Sequence, residues 1–183
     1  MDIVEEIVDK IQSRSMKDIL GYFIASEEDA SRKYRNMKEI SGELVGGLFE
    51  ALAKDEERHK KILLVLYEKL FKTKEFNVPE DIPFLESTEE ITTLSSFVEA
   101  LDVAIANEEV AHRVYTLLAE RDEKHRDIFK YLAMQEKAHL QAIMLHKDYV
   151  EEVLFKEHEL SEKPLDTSFL FRGDWMHMIY NRR

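Results

Sequence analysis

Glu56 and His59 stand three residues apart in "LAKDEERHKK" (52–61), and Glu136 and His139 repeat the spacing in "LAMQEKAHLQ" (132–141). A carboxylate and an imidazole at i and i+3 share one face of a helix. One such pair, in a chain with 38 acidic residues, reads as a solvated helix face or as half of a metal site. The copy 80 residues later decides between them, because the surroundings repeat as well. Phe49, Leu52, Ala53, Glu56 and His59 fall on Phe129, Leu132, Ala133, Glu136 and His139. Shifted by 81, "ASEEDASRKY" (25–34) falls on "ANEEVAHRVY" (106–115), matching Ala25, Glu27, Glu28, Ala30, Arg32 and Tyr34 with Ala106, Glu108, Glu109, Ala111, Arg113 and Tyr115. The second half of the chain repeats the first, segment by segment.

Helical spacing then says which repeated residues face inward. Leu52, Glu56 and His59 lie at i, i+4 and i+7, so the pair shares its face with a core leucine, as do Leu132, Glu136 and His139. Glu27 sits between Phe23 and Ala30/Tyr34 at the same spacing, and Glu108 between Ala104 and Ala111/Tyr115. Four uncompensated carboxylates in a core are severely destabilising, and no lysine or arginine repeats on these faces. Two divalent or trivalent ions supply the missing charge. Each takes a terminal glutamate, Glu27 or Glu108, and a histidine, His59 or His139, with Glu56 and Glu136 bridging. Oxygen-rich donors with one imidazole per ion suit iron, with manganese or zinc possible. Ala30 and Ala111 leave room beside the ions, and Tyr34 and Tyr115 are placed to hydrogen-bond a ligating carboxylate. Glu28, Glu57 and Glu109, turned by about 100° from the proposed ligands, read as surface charges. His112, whose repeat partner is Ser31, reads as a supporting or surface group. His125 reads as solvated, and His146 and His158 as structural or surface residues.

The elements that must position these residues follow from the apolar period. A short amphipathic segment carries Ile3, Val4, Ile7, Val8 and Ile11. Ser15 with Asp18 caps a long helix over 16–40. "SGELVGG" (41–47) predicts a break before a second helix to about residue 72. Ser87 and Glu90 open a third helix over 88–120, and a fourth covers 123–158. The short breaks make two antiparallel hairpins. The 72–88 connection reaches about 50 Å at roughly 3.3 Å per residue, against about 37 Å for a 25-residue helix, so it can cross the whole bundle. One long crossover between two hairpins is the ferritin-like all-α four-helix arrangement. Residues 1–158 form this domain with its N-terminal extension. Residues 159–183, with "SFLFRGDWMHMIY", form an extension that packs on the bundle or on a second subunit, as in a homodimer.

Composition narrows the class further. The 183 residues contain no cysteine, five glycines and three prolines, which excludes thiolate metal sites, disulfides and cysteine nucleophiles. A net charge of −12 opposes binding to nucleic acid. The acidic start and the lack of a long apolar run indicate no membrane segment and a cytoplasmic protein.

At these residues the sequence resembles the rubrerythrin branch of the ferritin-like superfamily over about 16–158. Glu27, Glu56, His59, Glu108, Glu136 and His139 fall on that family's metal ligands. The resemblance implies two iron ions per chain and reaction of Fe(II) with hydrogen peroxide or O2 in oxidative-stress defence. Two departures stand out. The cysteine-rich rubredoxin-like domain is missing, which implies a separate electron donor such as a rubredoxin-like protein. The additional glutamate that such proteins carry three residues after the third-helix ligand is Ala111 here, which moves the expectation towards a ferritin-type ferroxidase. A non-catalytic helical interaction module with a structural or vestigial metal site is the alternative from another class.

Overall fold

The computed structural model describes residues 3–82, 91–92 and 94–155, without the side chains of 42–45, 94 and 153–155. Among the described residues the secondary structure is entirely helical: α1 (Ile3–Gln12), α2 (Met16–Phe71), α3 (Leu94–Arg121), α4 (Arg126–Tyr149) and a terminal π-helical turn, α5 (Val150–Phe155). No helix among them is long and apolar enough to cross a membrane.

α2 begins where the sequence predicts. The Ser15 side chain accepts the Asp18 backbone N–H at 3.2 Å and its hydroxyl donates to the Asp18 carboxylate at 2.7 Å, which satisfies an otherwise orphaned donor of the first turn. The break expected at 41–47 takes another form: helical bonding runs on through all 56 residues of α2, yet the chain doubles back. Along a straight helix Ser31 and Ala53 would lie about 33 Å apart at 1.5 Å per residue; instead the Ser31 hydroxyl donates to the Ala53 carbonyl at 2.8 Å. Ion pairs Lys60–Glu28, Arg35–Glu57 and Lys38–Glu50 join the same two limbs. The reversal has local causes. Ser41 donates back to the Met37 carbonyl at 2.6 Å, a bond that bends helices. Gly46 lies so close to the outgoing limb that a Cβ there would sit 3.2 Å from the Lys38 carbonyl oxygen. α2 ends at Lys72, in the left-handed conformation (φ 58°), whose N–H caps the Glu68 carbonyl.

α3 and α4 form the second hairpin. His112 meets the Ala133 carbonyl, Arg126 the Ala119 carbonyl and Lys147 the Asp102 carboxylate. The third helix starts at Leu94 rather than 88, and the Ser87–Glu90 box lies outside the described residues. The fourth starts at Arg126 rather than 123, and its α-helical bonding ends at Tyr149. His158, the end of the fourth helix as expected and the whole 159–183 extension also lie outside. His125 is not solvated: it is 5% exposed and its Nδ1 lies 2.7 Å from the Asp122 carboxylate. The reason is its place before α4, where Asp122 also accepts its backbone N–H.

Two apolar clusters fill the bundle, one at each end. The first joins α1, the start and finish of α2, the end of α3 and the start of α4, around Leu20, Phe23, Leu63, Tyr115 and Phe129. The second joins the middle of α2 to the start of α3 and the end of α4, around Tyr34, Phe49, Phe97, Leu101 and Ile143. Ile82 of the crossover belongs to the first cluster and Ile91 packs on the second, so these two described residues lie at opposite ends of the bundle, as a crossover needs. α1 lays Val4, Ile7 and Ile11 into the first end, and Arg121 of α3 donates to the Gln12 carbonyl at 2.8 Å. The N-terminal segment therefore packs on its own bundle.

Candidate metal centre

Between the two clusters the polar side chains converge. Glu27 on the outgoing limb of α2, Glu56 and His59 on its return limb, Glu108 on α3, and Glu136 and His139 on α4 are each at most 5% exposed. His59 Nδ1 lies 2.8 Å from Glu136, 3.1 Å from Glu56 and 3.9 Å from Glu27. His139 Nδ1 lies 2.9 Å from Glu56 and 3.5 Å from both Glu108 and Glu136. The two imidazoles stack with centroids 5.5 Å apart. All six sequence-predicted residues are thus brought together, with one donor atom each of Glu56, His59, Glu136 and His139 inside a 4.8 Å cluster.

The electrostatics are those of a site built around positive charge. Among the described residues no lysine or arginine is buried. Glu56 Oε1, Glu136 Oε1 and His139 Nδ1 are buried without a well-aligned hydrogen-bond partner, although imidazole and carboxylate stand 2.8 Å apart at His59–Glu136 and 2.9 Å apart at His139–Glu56. Unsatisfied buried polar atoms are costly, and a metal ion satisfies lone pairs where a proton cannot. Without metal, protons do this work. Burial, then Glu56, pushes Glu27 well above the carboxylate range, and burial with Glu27 and Glu108 raises Glu136 to about 8. Burial alone would lower His59, but the carboxylates of Glu136 and Glu56 beside it prevail and raise it to about 11. His139 rises for the same reason, with Glu108 its leading partner. Glu108 stays low because His139 and Glu136 outweigh its burial.

Supporting contacts cross the bundle. Tyr34 donates to Glu108 and Tyr115 to Glu27, so each tyrosine holds the glutamate of the other hairpin. Burial first, then the adjacent carboxylate, raises both phenols well above their ordinary value, and they remain donors. Ser31 and His112 are unlike in type but act alike. They reach the carbonyls of Ala53 and Ala133, each three residues before a glutamate of the cluster. Asp55 was missed by sequence reasoning. Its carboxylate lies 3.4 Å from His139 Nε2, whereas His59 Nε2 is buried without a partner. Its repeat counterpart is Gln135, so duplication could not flag it. Glu28, Glu57 and Glu109 lie on the surface as expected, paired with Lys60, Arg35 and Arg113.

A family model described as rubrerythrin matches residues 18–169, a span that includes every residue of this cluster. The chain belongs to the rubrerythrin family. A solved structure of a hypothetical protein from Pyrococcus furiosus shares the fold, with a TM-score of 0.72 and 24% identity over 79% of this chain and 96% of that one. No curated protein matches the chain. The buried group of Glu56, His59, Glu136 and His139 could hold a metal ion and fits a di-iron protein of this family.

Proposed function

We propose that this rubrerythrin-family chain is a cytoplasmic non-haem di-iron oxidoreductase that takes hydrogen peroxide or O2 as oxidant and draws electrons from a separate donor protein. The observation that carries the reading is the convergence of four buried carboxylates and two inward imidazole Nδ1 atoms with no buried lysine or arginine among the described residues. Four negative charges balance two divalent ions and tolerate a rise in their charge. When bound, iron supplies the reversible one-electron steps at each ion. The chain's residues hold the rest of the reaction in place. Tyr34 and Tyr115 fix the two terminal glutamates and keep a proton at each phenolic oxygen. Asp55 orients His139. The surrounding clusters exclude bulk water.

A ferroxidase that oxidises Fe(II) for transfer or storage is the second reading, favoured by Ala111 standing where a further carboxylate would complete a seven-donor set. The test is metal analysis after purification without oxygen, then Fe(II) loading and stopped-flow absorbance with each oxidant. About two irons per chain and a ferric absorbance change that is lost in Glu56→Ala are expected. Uptake of no more than one weak ion would sink both readings. A far faster reaction with peroxide than with O2 favours the peroxidase, and the reverse, with iron accumulating in a large assembly, the ferroxidase.

A further inference from the structure

All six cluster residues are at most 5% exposed, so a reactant needs a path. The two halves of the repeat differ where such a path would run. Between the outgoing limb of α2 and the first half of α3 lies a cleft of about 70 Å³, lined by Ala30, Tyr34, Ala100, Val103, Ala104 and Asn107, among others. A buried water needs roughly 10–15 Å³ on the same measure, so the cleft has room for about five to seven waters, ample for a reactant of two heavy atoms. Its inner wall is Tyr34, whose hydroxyl donates to Glu108, and Ala104 lies one turn before Glu108.

The same place in the other half is filled. Shifted by 81, Ala100, Val103 and Ala104 correspond to Ile19, Tyr22 and Phe23, all of them buried. The Phe23 ring packs on Tyr115 with centroids 4.8 Å apart, and Tyr22 meets Phe23 edge-on at 5.3 Å. The crossover also presses on this end, with the Asn77 carbonyl where a Cβ of Gly21 would be. Duplication thus kept the tyrosine–glutamate bond in both halves, with a cleft beside Tyr34 and the Phe23 ring packed on Tyr115.

We infer that the Ala104 cleft is a one-sided entry for a small neutral O–O molecule, dioxygen or hydrogen peroxide, which reaches the Glu108/His139 side of the centre past Tyr34, while the Glu27/His59 side is closed by Phe23. The lining is mostly apolar, with Lys33, Asn36 and Asn107 its polar members, which suits a small uncharged reactant. Tyr34 is the positioning residue at the inner end, its hydroxyl already aimed at the carboxylate beside the entry.

The entry rests on the di-iron reading for its reactant, but its existence is testable without metal. Crystals of the metal-free protein pressurised with xenon are expected to show a xenon atom between Tyr34 and Ala104 and none between Phe23 and Tyr115. Ala104→Phe, which copies the closed half, should abolish that xenon, and Ala104→Leu serves if the larger side chain prevents folding. In the iron-loaded protein the same variant should retain about two irons per chain while the rate constants for O2 and for peroxide fall at least tenfold. Slowing of only one oxidant identifies which of the two uses the cleft. Xenon absent from the cleft, or found on the Phe23 side, overturns the inference, as do unchanged rates in a variant whose cleft is shown to be filled. Failure to load iron in the parent protein overturns the di-iron reading instead and leaves the xenon result to decide the entry.

Discussion

The half of the bundle around Glu27 and the half around Glu108 carry the same donors and differ in what surrounds them. On the Glu27 side, Phe23 seals Tyr115, α1 and the crossover cover the end of the bundle, and His59 Nε2 has no partner. On the Glu108 side, Ala104 leaves a cleft beside Tyr34, and Asp55 stands at His139 Nε2. The four glutamates and two histidines repeat in both halves, and removing one partner of a buried charged pair costs about 3–5 kcal/mol. The packing around them could drift because an apolar position accepts alanine or phenylalanine whenever neighbours adjust. The six inward residues are therefore close to twofold, while the packing and hydrogen-bond support around them differ between the halves.

The largest expected effect comes from breaking the sealed half. Phe23→Ala removes a ring that is 1% exposed and should cost about 3–5 kcal/mol of stability, read by urea unfolding. The reciprocal Ala104→Phe enters existing space and should cost less than the roughly 1–3 kcal/mol of an overpacked core. Equal losses in the two variants would show that the halves are packed alike. Next is the crossover. A Cβ at Gly21 would fall 2.3 Å from the Asn77 carbonyl oxygen, so Gly21→Ala should destabilise by about 1–3 kcal/mol. Gly47→Ala, with nothing within 4 Å of the new methyl, should stabilise by about 0.5–1 kcal/mol.

The support of the two imidazoles gives a third contrast. Asp55→Ala should weaken binding of one metal ion by roughly 10–100-fold, seen as a wider separation or loss of one step in an anaerobic metal titration, while Gln135→Ala changes neither step. Metal uptake should also release protons and tighten as pH rises through about 8 and on towards about 11, because Glu136 and His59 hold protons up to those values in the metal-free fold and binding must displace them. Titration in weakly buffered dye solution measures both. The smallest effect lies at the open end, where His146 packs edge-on against Phe49 and burial lowers its pKa. The fold then favours neutral imidazole, so its contribution is present above the unfolded value of about 6.5 and is lost as pH falls below it. His146→Phe should flatten that acid-side slope by no more than about 1.4 kcal/mol per pH unit.

Much of this was legible from helical period. Phe49, Leu52, Glu56 and His59 declare one face because a helix repeats every 3.6 residues, and the copies at Phe129, Leu132, Glu136 and His139 declare it twice. What was not legible depends on atoms that a sequence does not display. The bonds from Ser31 to the Ala53 carbonyl and from His112 to the Ala133 carbonyl join unlike side chains to backbone acceptors, so neither stands out as a repeat. Gly46 and Gly47 signal the reversal of α2 but not that helical bonding continues through it. His125 looks solvated in "ERDEKHRD" because its partner, Asp122, is one more charge in a charged stretch until the turn folds.

The sequence by itself determined the six inward glutamates and histidines, the two hairpins and the long crossover, because buried charge and periodicity leave traces in residue type and spacing. Only the tertiary structure decided that Tyr34 serves Glu108 and Tyr115 serves Glu27, that Asp55 reaches His139 across the bundle, and that a cleft lies beside Tyr34 while Phe23 packs on Tyr115. Those choices rest on how helices from distant parts of the chain are set against one another. That register comes from the balance of many contacts and is written in no single residue.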